Sequence, residues 1–213
     1  MELVVPLQFS VVQPNLYRGS YPREINFQFI ETLNLKSILS LIPSPITNES
    51  DPKFIDYCKN HGIKVIHIPA GKAKVTKDKS KKEKDPEKKA SKQKVKRKQK
   101  PVPIEYDTVI ECIKILVNKK NYPCYIHGIN DNDMVISLVV ACLRKFSYWS
   151  NISILNEFLV YNSSINIHER NFIEKFNSEI TIDNIQFKDR VSWIHSQSTS
   201  NAMAMLPKLK FQN

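Results

Sequence analysis

The sequence predicts an α/β fold, with a mostly parallel sheet of four or five strands flanked by helices. Two observations carry that prediction. Short apolar, β-branched runs ("KSILSLIP", "KVIHIP", "YPCYIH") alternate with stretches whose apolar residues recur at helical spacing. Strands that alternate with helices in this way are joined by crossovers, which place helices on both faces of a parallel sheet. Setting aside residues 72–100 and 196–213 leaves about 166 of the 213 residues, enough for such a sheet and six helices.

Taken in order, "FSVVQPNLYRGSYP" reads as a short strand and hairpin-like turn that leads into a helix start at Tyr21-Pro22. Ile25, Phe29 and Leu33 then recur at helical spacing. Residues 36–43 form an apolar run ended by proline, the signature of a buried strand. The next helix has Asp51 at the N-cap, Pro52 at the first helical position and Gly62 where a chain leaves a helix through the left-handed region. "KVIHIP" is the following strand. Beyond residue 100, Ile104, Val109, Ile113, Leu116 and Val117 keep helical register. "YPCYIH" is a strand and "DMVISLVVACLRKF" a helix apolar enough to be buried. Two more helices follow, "SNISILNEFLVYN" and an amphipathic one carrying Ile167, Phe172, Ile173 and Phe176.

The formal net charge of +11 suggests nucleic acid until it is located. Of 32 Lys and Arg, 15 lie in residues 72–100, and of 21 Asp and Glu, 4 do, so the rest of the chain holds 17 of each sign. The body is neutral and the excess sits in one segment, expected to be a disordered insert within a domain spanning 1–195, with 196–213 as a flexible tail. Lengthening a loop from about 5 to about 34 residues costs only roughly 1.7 kcal/mol of closure entropy. The four cysteines (Cys58, Cys112, Cys124, Cys142) are widely spaced among apolar residues, as reduced core thiols are. No basic leader followed by a long apolar stretch opens the chain, and no run reaches the length of a membrane span. A cytoplasmic protein is expected; "KVKRKQK" offers a nuclear-import alternative.

The strand–turn–helix at "YPCYIHGINDNDMVISLVV" is the candidate site, because ligands of such sheets bind beyond strand carboxyl ends at helix amino ends. The turn from Gly128 to Met134 contains no Cys, Ser, Thr, Lys or Arg. Its Asn130, Asp131, Asn132 and Asp133 are residues that build Asx turns and cap helices.

"LYRGSYPREINFQFIETLNLKSILSLIP", then "KVIHIP", "YPCYIHG" and "ACLRKFSYWSNISILNEF", resembles the fungal tyrosine and dual-specificity phosphatase-like group of Oca and Siw proteins, and within it a divergent Oca-type member. The likeness covers roughly residues 8–178 apart from the insert. It implies a three-layer phosphatase-like fold. Active members of the group carry His-Cys-x5-Arg between strand and helix, and a mobile loop that supplies an aspartic acid. The cysteine acts as a thiolate whose pKa the helix amino end lowers, and it attacks phosphorus. The arginine clamps two phosphoryl oxygens and the acid protonates the leaving group.

By that resemblance His127 matches the histidine, Gly128 occupies the nucleophile position, and the arginine position falls at Asp133 or Met134. The acid loop is expected after "KVIHIP", where the lysine-rich insert lies. Asp131 and Asp133 would also repel a phosphate, each by roughly 3 kcal/mol at about 5 Å and an effective dielectric near 20. Cys124, four positions before Gly128, is expected to point into the core, and Ser137 has no nearby base. His127, Gly128, Asn130, Asp131, Asp133 and Met134 are therefore expected to form a vestigial phosphate loop. No cofactor is expected and no calcium or magnesium loop pattern appears.

Three functions remain open on the sequence. The first is an inactive phosphatase-fold protein that regulates or assembles with other Oca-type phosphatases in stress, cell-cycle or inositol pyrophosphate signalling. The second is an active protein tyrosine or inositol pyrophosphate phosphatase. The third is a polyanion-binding module in which Lys72–Lys100 contacts inositol phosphates or other polyanions.

Overall fold

A computed structural model describes residues 3–71, 102–129, 134–177 and 185–194. Five strands form one sheet in the order β1-β2-β5-β3-β4: β1 (Ser10–Gln13), β2 (Leu16–Gly19), β3 (Ser37–Ser40), β4 (Lys64–His67) and β5 (Cys124–His127). Only the β1/β2 hairpin is antiparallel; β2/β5, β5/β3 and β3/β4 run parallel. The register aligns Gly19, His127, Ser40 and His67 in one row at the carboxyl end of the sheet.

Because side chains alternate along each strand, the two faces bury different sets. One face presents Ile38 and Tyr125 to α1 (Phe27–Thr32) and α2 (Pro52–Asn60), through Ile30, Phe54, Tyr57 and Cys58. The other presents Leu16, Leu39, Cys124 and Ile126 to α3 (Tyr106–Leu116), α4 (Met134–Phe146), α5 (Asn151–Tyr161) and α6 (Ile167–Lys175). These are the three layers expected, a sheet between two helices on one side and four on the other. The four cysteines are buried and free.

Local signals act where the sequence placed them. The Asp51 carboxylate accepts from the Phe54 N–H at 3.0 Å, capping α2, and Gly62 leaves that helix at φ +64°. Helix α4 is buried almost all round, as its unbroken apolar run requires. Asn166 and Glu169 form a capping box that starts α6.

Two expectations change. The first helix begins not at Pro22 but as a 3-10 turn, Glu24–Asn26, which precedes α1. The tighter turn shifts the register, so Ile25 is 63% exposed and Ile30 takes the core position. Ile167, the first residue of α6, lies outside the core at 61% exposure; Phe172, Ile173 and Phe176 are buried. Residues 185–194 return to the body: a 3-10 turn at Phe187–Asp189 is followed by the Val191 N–H donating to the Val117 carbonyl at 3.0 Å.

Arg144, buried on α4, ties the four-helix layer to the hairpin. Its Nε and Nη2 donate to the Glu157 carboxylate, both at 2.8 Å, and Nη2 also donates to the Val12 carbonyl at 2.7 Å. Its guanidinium lies 4.0 Å over the Trp149 ring. Segments 72–100 and 196–213 lie outside the described residues.

Candidate functional site

Strand β5 delivers His127 to the carboxyl end of the sheet, and α4 begins at Met134, so the strand–turn–helix read from sequence is present. His127 and Gly128 are buried, whereas Ile129 is exposed. Asn130, Asp131 and Asp133 lie outside the described residues.

His127 is fully buried, and its Nδ1 stands 3.1 Å from the Gly128 carbonyl. A carbonyl only accepts, so Nδ1 carries the proton and Nε2 presents its lone pair. Burial pushes the imidazole pKa down to about 4, so the ring is neutral near pH 7. Two rings wall it edge-on, Tyr21 at 5.0 Å and Phe54 at 6.3 Å between centroids. Tyr21 is held in turn by its hydroxyl, which donates to Asp51 Oδ2 at 2.7 Å. Nε2 has no hydrogen-bond partner among the described residues, and neither does the buried Oγ of Ser40, its register neighbour. His67, next in the row, is occupied by a 2.8 Å bond from Nε2 to the Ile42 carbonyl.

Met134, at one of the two positions where the resemblance expects arginine, packs against the large core as a half-buried apolar side chain. Cys124 faces the same core, fully buried, and burial raises its thiol pKa to about 11, which keeps it protonated. Ser137 is buried and accepts from Arg18 Nη2 at 2.9 Å. That buried Arg18 also lies 3.9 Å over the Tyr161 ring, on the face of the sheet opposite His127. Sequence reasoning missed the Arg18–Ser137 pair; its members are 119 residues apart, and no local pattern joins them.

The insert opens at the lip of this site. A side chain built at Gly71 would meet Ile129 Cδ1 at 3.2 Å, and Gly71 has φ +92°. The Gly71 N–H donates to the Pro103 carbonyl at 3.3 Å, so the chain leaves and re-enters the body at one point. Asp78 and Asp85, both within the insert, lie outside the described residues. Among the described residues no group of three His, Cys, Asp or Glu side chains converges as a metal site. Nor is any helix among them long and apolar enough to cross a membrane.

The sequence profile of the tyrosine phosphatase family matches residues 3–195. The chain is 59% identical over 197 residues to "Putative tyrosine-protein phosphatase OCA6" of Saccharomyces cerevisiae, covering 91% of this chain and 80% of that one. It is 32% identical to the inositol diphosphatase DSP3 of Arabidopsis thaliana, over 82% of this chain and 72% of that one. Among solved structures, the core catalytic domain of the PP-IP phosphatase SIW14 from S. cerevisiae, in complex with citrate, superposes with a TM-score of 0.63 at 25% identity. That likeness covers 84% of this chain and 90% of that one. P. aeruginosa TpbA shares the fold, with a TM-score of 0.53 at 12% identity.

Proposed function

The chain belongs to the tyrosine phosphatase family, and from that premise we propose that it is a member without catalysis of its own, a regulatory or scaffold subunit for related Oca-type phosphatases in stress, cell-cycle or inositol pyrophosphate signalling. One observation carries the reading: glycine follows His127 where the resemblance places the nucleophile, and among the described residues no nearby group takes its part. Cys124 is a protonated core thiol and Ser137 is bound by Arg18. Met134 is packed as an apolar residue. Phosphoryl transfer through a covalent intermediate needs an activated nucleophile beside an oxyanion-stabilising cation. The buried histidine, neutral and boxed by rings, acts here as a support for the turn.

An assembly role also suits the surface of α5, where Ile152, Leu159 and Val160 are exposed at 74%, 42% and 76% with helical spacing. Purified full-length protein is expected to show no turnover of a phosphotyrosine peptide or of an inositol pyrophosphate. Turnover that Cys124→Ser abolishes would establish the active-phosphatase reading instead. A gentle pulldown is expected to recover phosphatase-family chains, and Ile152→Asp with Val160→Asp is expected to release them. Recovery of none would sink the scaffold role.

A further inference from the structure

At the opposite end of the sheet, where the parallel strands begin, lies a cavity of about 420 Å³. Four segments distant in sequence build it: the Pro14-Asn15 turn between β1 and β2, Lys36 immediately before β3, Lys119, Lys120 and Tyr122 before β5, and the returning strap with Asp189 and Trp193. Four-residue strands at about 3.3 Å per residue set it roughly 10 Å from the His127 end, so it is a separate place on the molecule.

Its chemistry is one-sided. Asp189 Oδ2 pairs with Lys120 Nζ at 3.0 Å, so the carboxylate in the lining is already matched. Lys36 and Lys119 have no carboxylate within ion-pair distance among the described residues. The indole N–H of Trp193 is buried and has no acceptor among the described residues. A buried donor left without an acceptor costs about 1–3 kcal/mol, and an incoming acceptor recovers it. Lysines alone would form an ordinary solvated face. A preformed concavity, an unmatched indole donor and two uncommitted ammonium groups together ask for an anion. The aromatic side chains of Tyr122 and Trp193 ask that the anion carry a flat or apolar body. The volume falls within the range of roughly 300–1,000 Å³ typical of small-molecule sites.

We propose that this cavity is a second binding site, for a small organic phosphate bearing a flat ring: a nucleotide. The phosphates meet Lys36 and Lys119 as point charges, while the ring packs against Tyr122 and Trp193. The site does not depend on the phosphatase-fold reading above and survives its failure, since none of its residues belongs to the β5–α4 turn.

ATP titrated into the full-length protein by calorimetry at low salt tests it. Saturable one-to-one binding is expected. Lys36→Glu with Lys119→Glu should weaken it by about tenfold or more, and Trp193→Phe, which keeps a ring and removes the N–H, by roughly threefold to tenfold. These lysines are exposed, so the charge reversals leave the fold intact. Inorganic phosphate should bind at least about tenfold more weakly than ATP, having no ring to pack. Deleting residues 72–100 should leave ATP affinity unchanged. The proposal is overturned if millimolar ATP gives no saturable signal, or if binding vanishes with residues 72–100 and ignores the cavity variants. Equal affinity for inorganic phosphate and ATP also overturns it.

Discussion

The two ends of the central sheet are built on opposite terms. At the carboxyl end, a neutral imidazole is fully buried between two rings, and the groups around it are held by packing. At the amino end, exposed lysines and a half-buried tryptophan surround an open cavity. At the carboxyl end the row of Gly19, Ser40 and His127 is buried. The amino end retains exposed charge. Mutation should therefore cost stability at the first end and only ligand affinity at the second.

The largest effect should come from Phe54→Ala. This fully buried ring supports both Tyr21 and His127, so its loss is expected to cost about 3–5 kcal/mol in urea unfolding. A cost below about 1 kcal/mol would mean the carboxyl end is not a packed core and would break the contrast.

Acid should single out His127. Its folded pKa of about 4 lies below the ordinary 6.5, so the unfolded chain binds the proton more readily between those values. Its contribution is complete above about pH 6.5 and is lost as the pH falls towards 4, amounting to roughly 2–3 kcal/mol by pH 4.5. His127→Gln should lose that component of the acid dependence. Identical pH profiles for the two proteins would show that the imidazole is not held neutral.

A smaller loss, about 1–2 kcal/mol, is expected for Asp51→Ala, which removes the α2 cap and the acceptor of the Tyr21 hydroxyl together. Smallest of all, Lys119→Glu should change unfolding free energy by no more than about 0.5 kcal/mol. A larger loss would mean that the amino-end lysines serve the fold, and the two ends would no longer differ.

Much of the fold was legible because its signals are local. Asp51 with Pro52, Gly62, the apolar run 134–146 and the proline-bounded strands each announce themselves within a few residues. Ile25 misled because helical spacing cannot say that a 3-10 turn will precede the α-helix and move Ile30 into the core. The candidate site was legible as a place, since the strand and the helix that frame it, and Gly128 after the strand, are read directly from consecutive residues. The protonation state of His127 was not, because it depends on Tyr21 and Phe54, which arrive from other segments.

By itself the sequence determined the alternation of strands and helices, the confinement of excess charge to residues 72–100 and the family to which the chain belongs. Those properties depend on residue identity and on spacing within one element. The tertiary structure alone decided that Arg18 turns to Ser137 and that Tyr21 and Phe54 wall His127. It alone brought Lys36, Lys119 and Trp193 around one cavity. Burial and convergence are set by the register between strands far apart in the chain, and a linear pattern carries no record of that register until the sheet has closed.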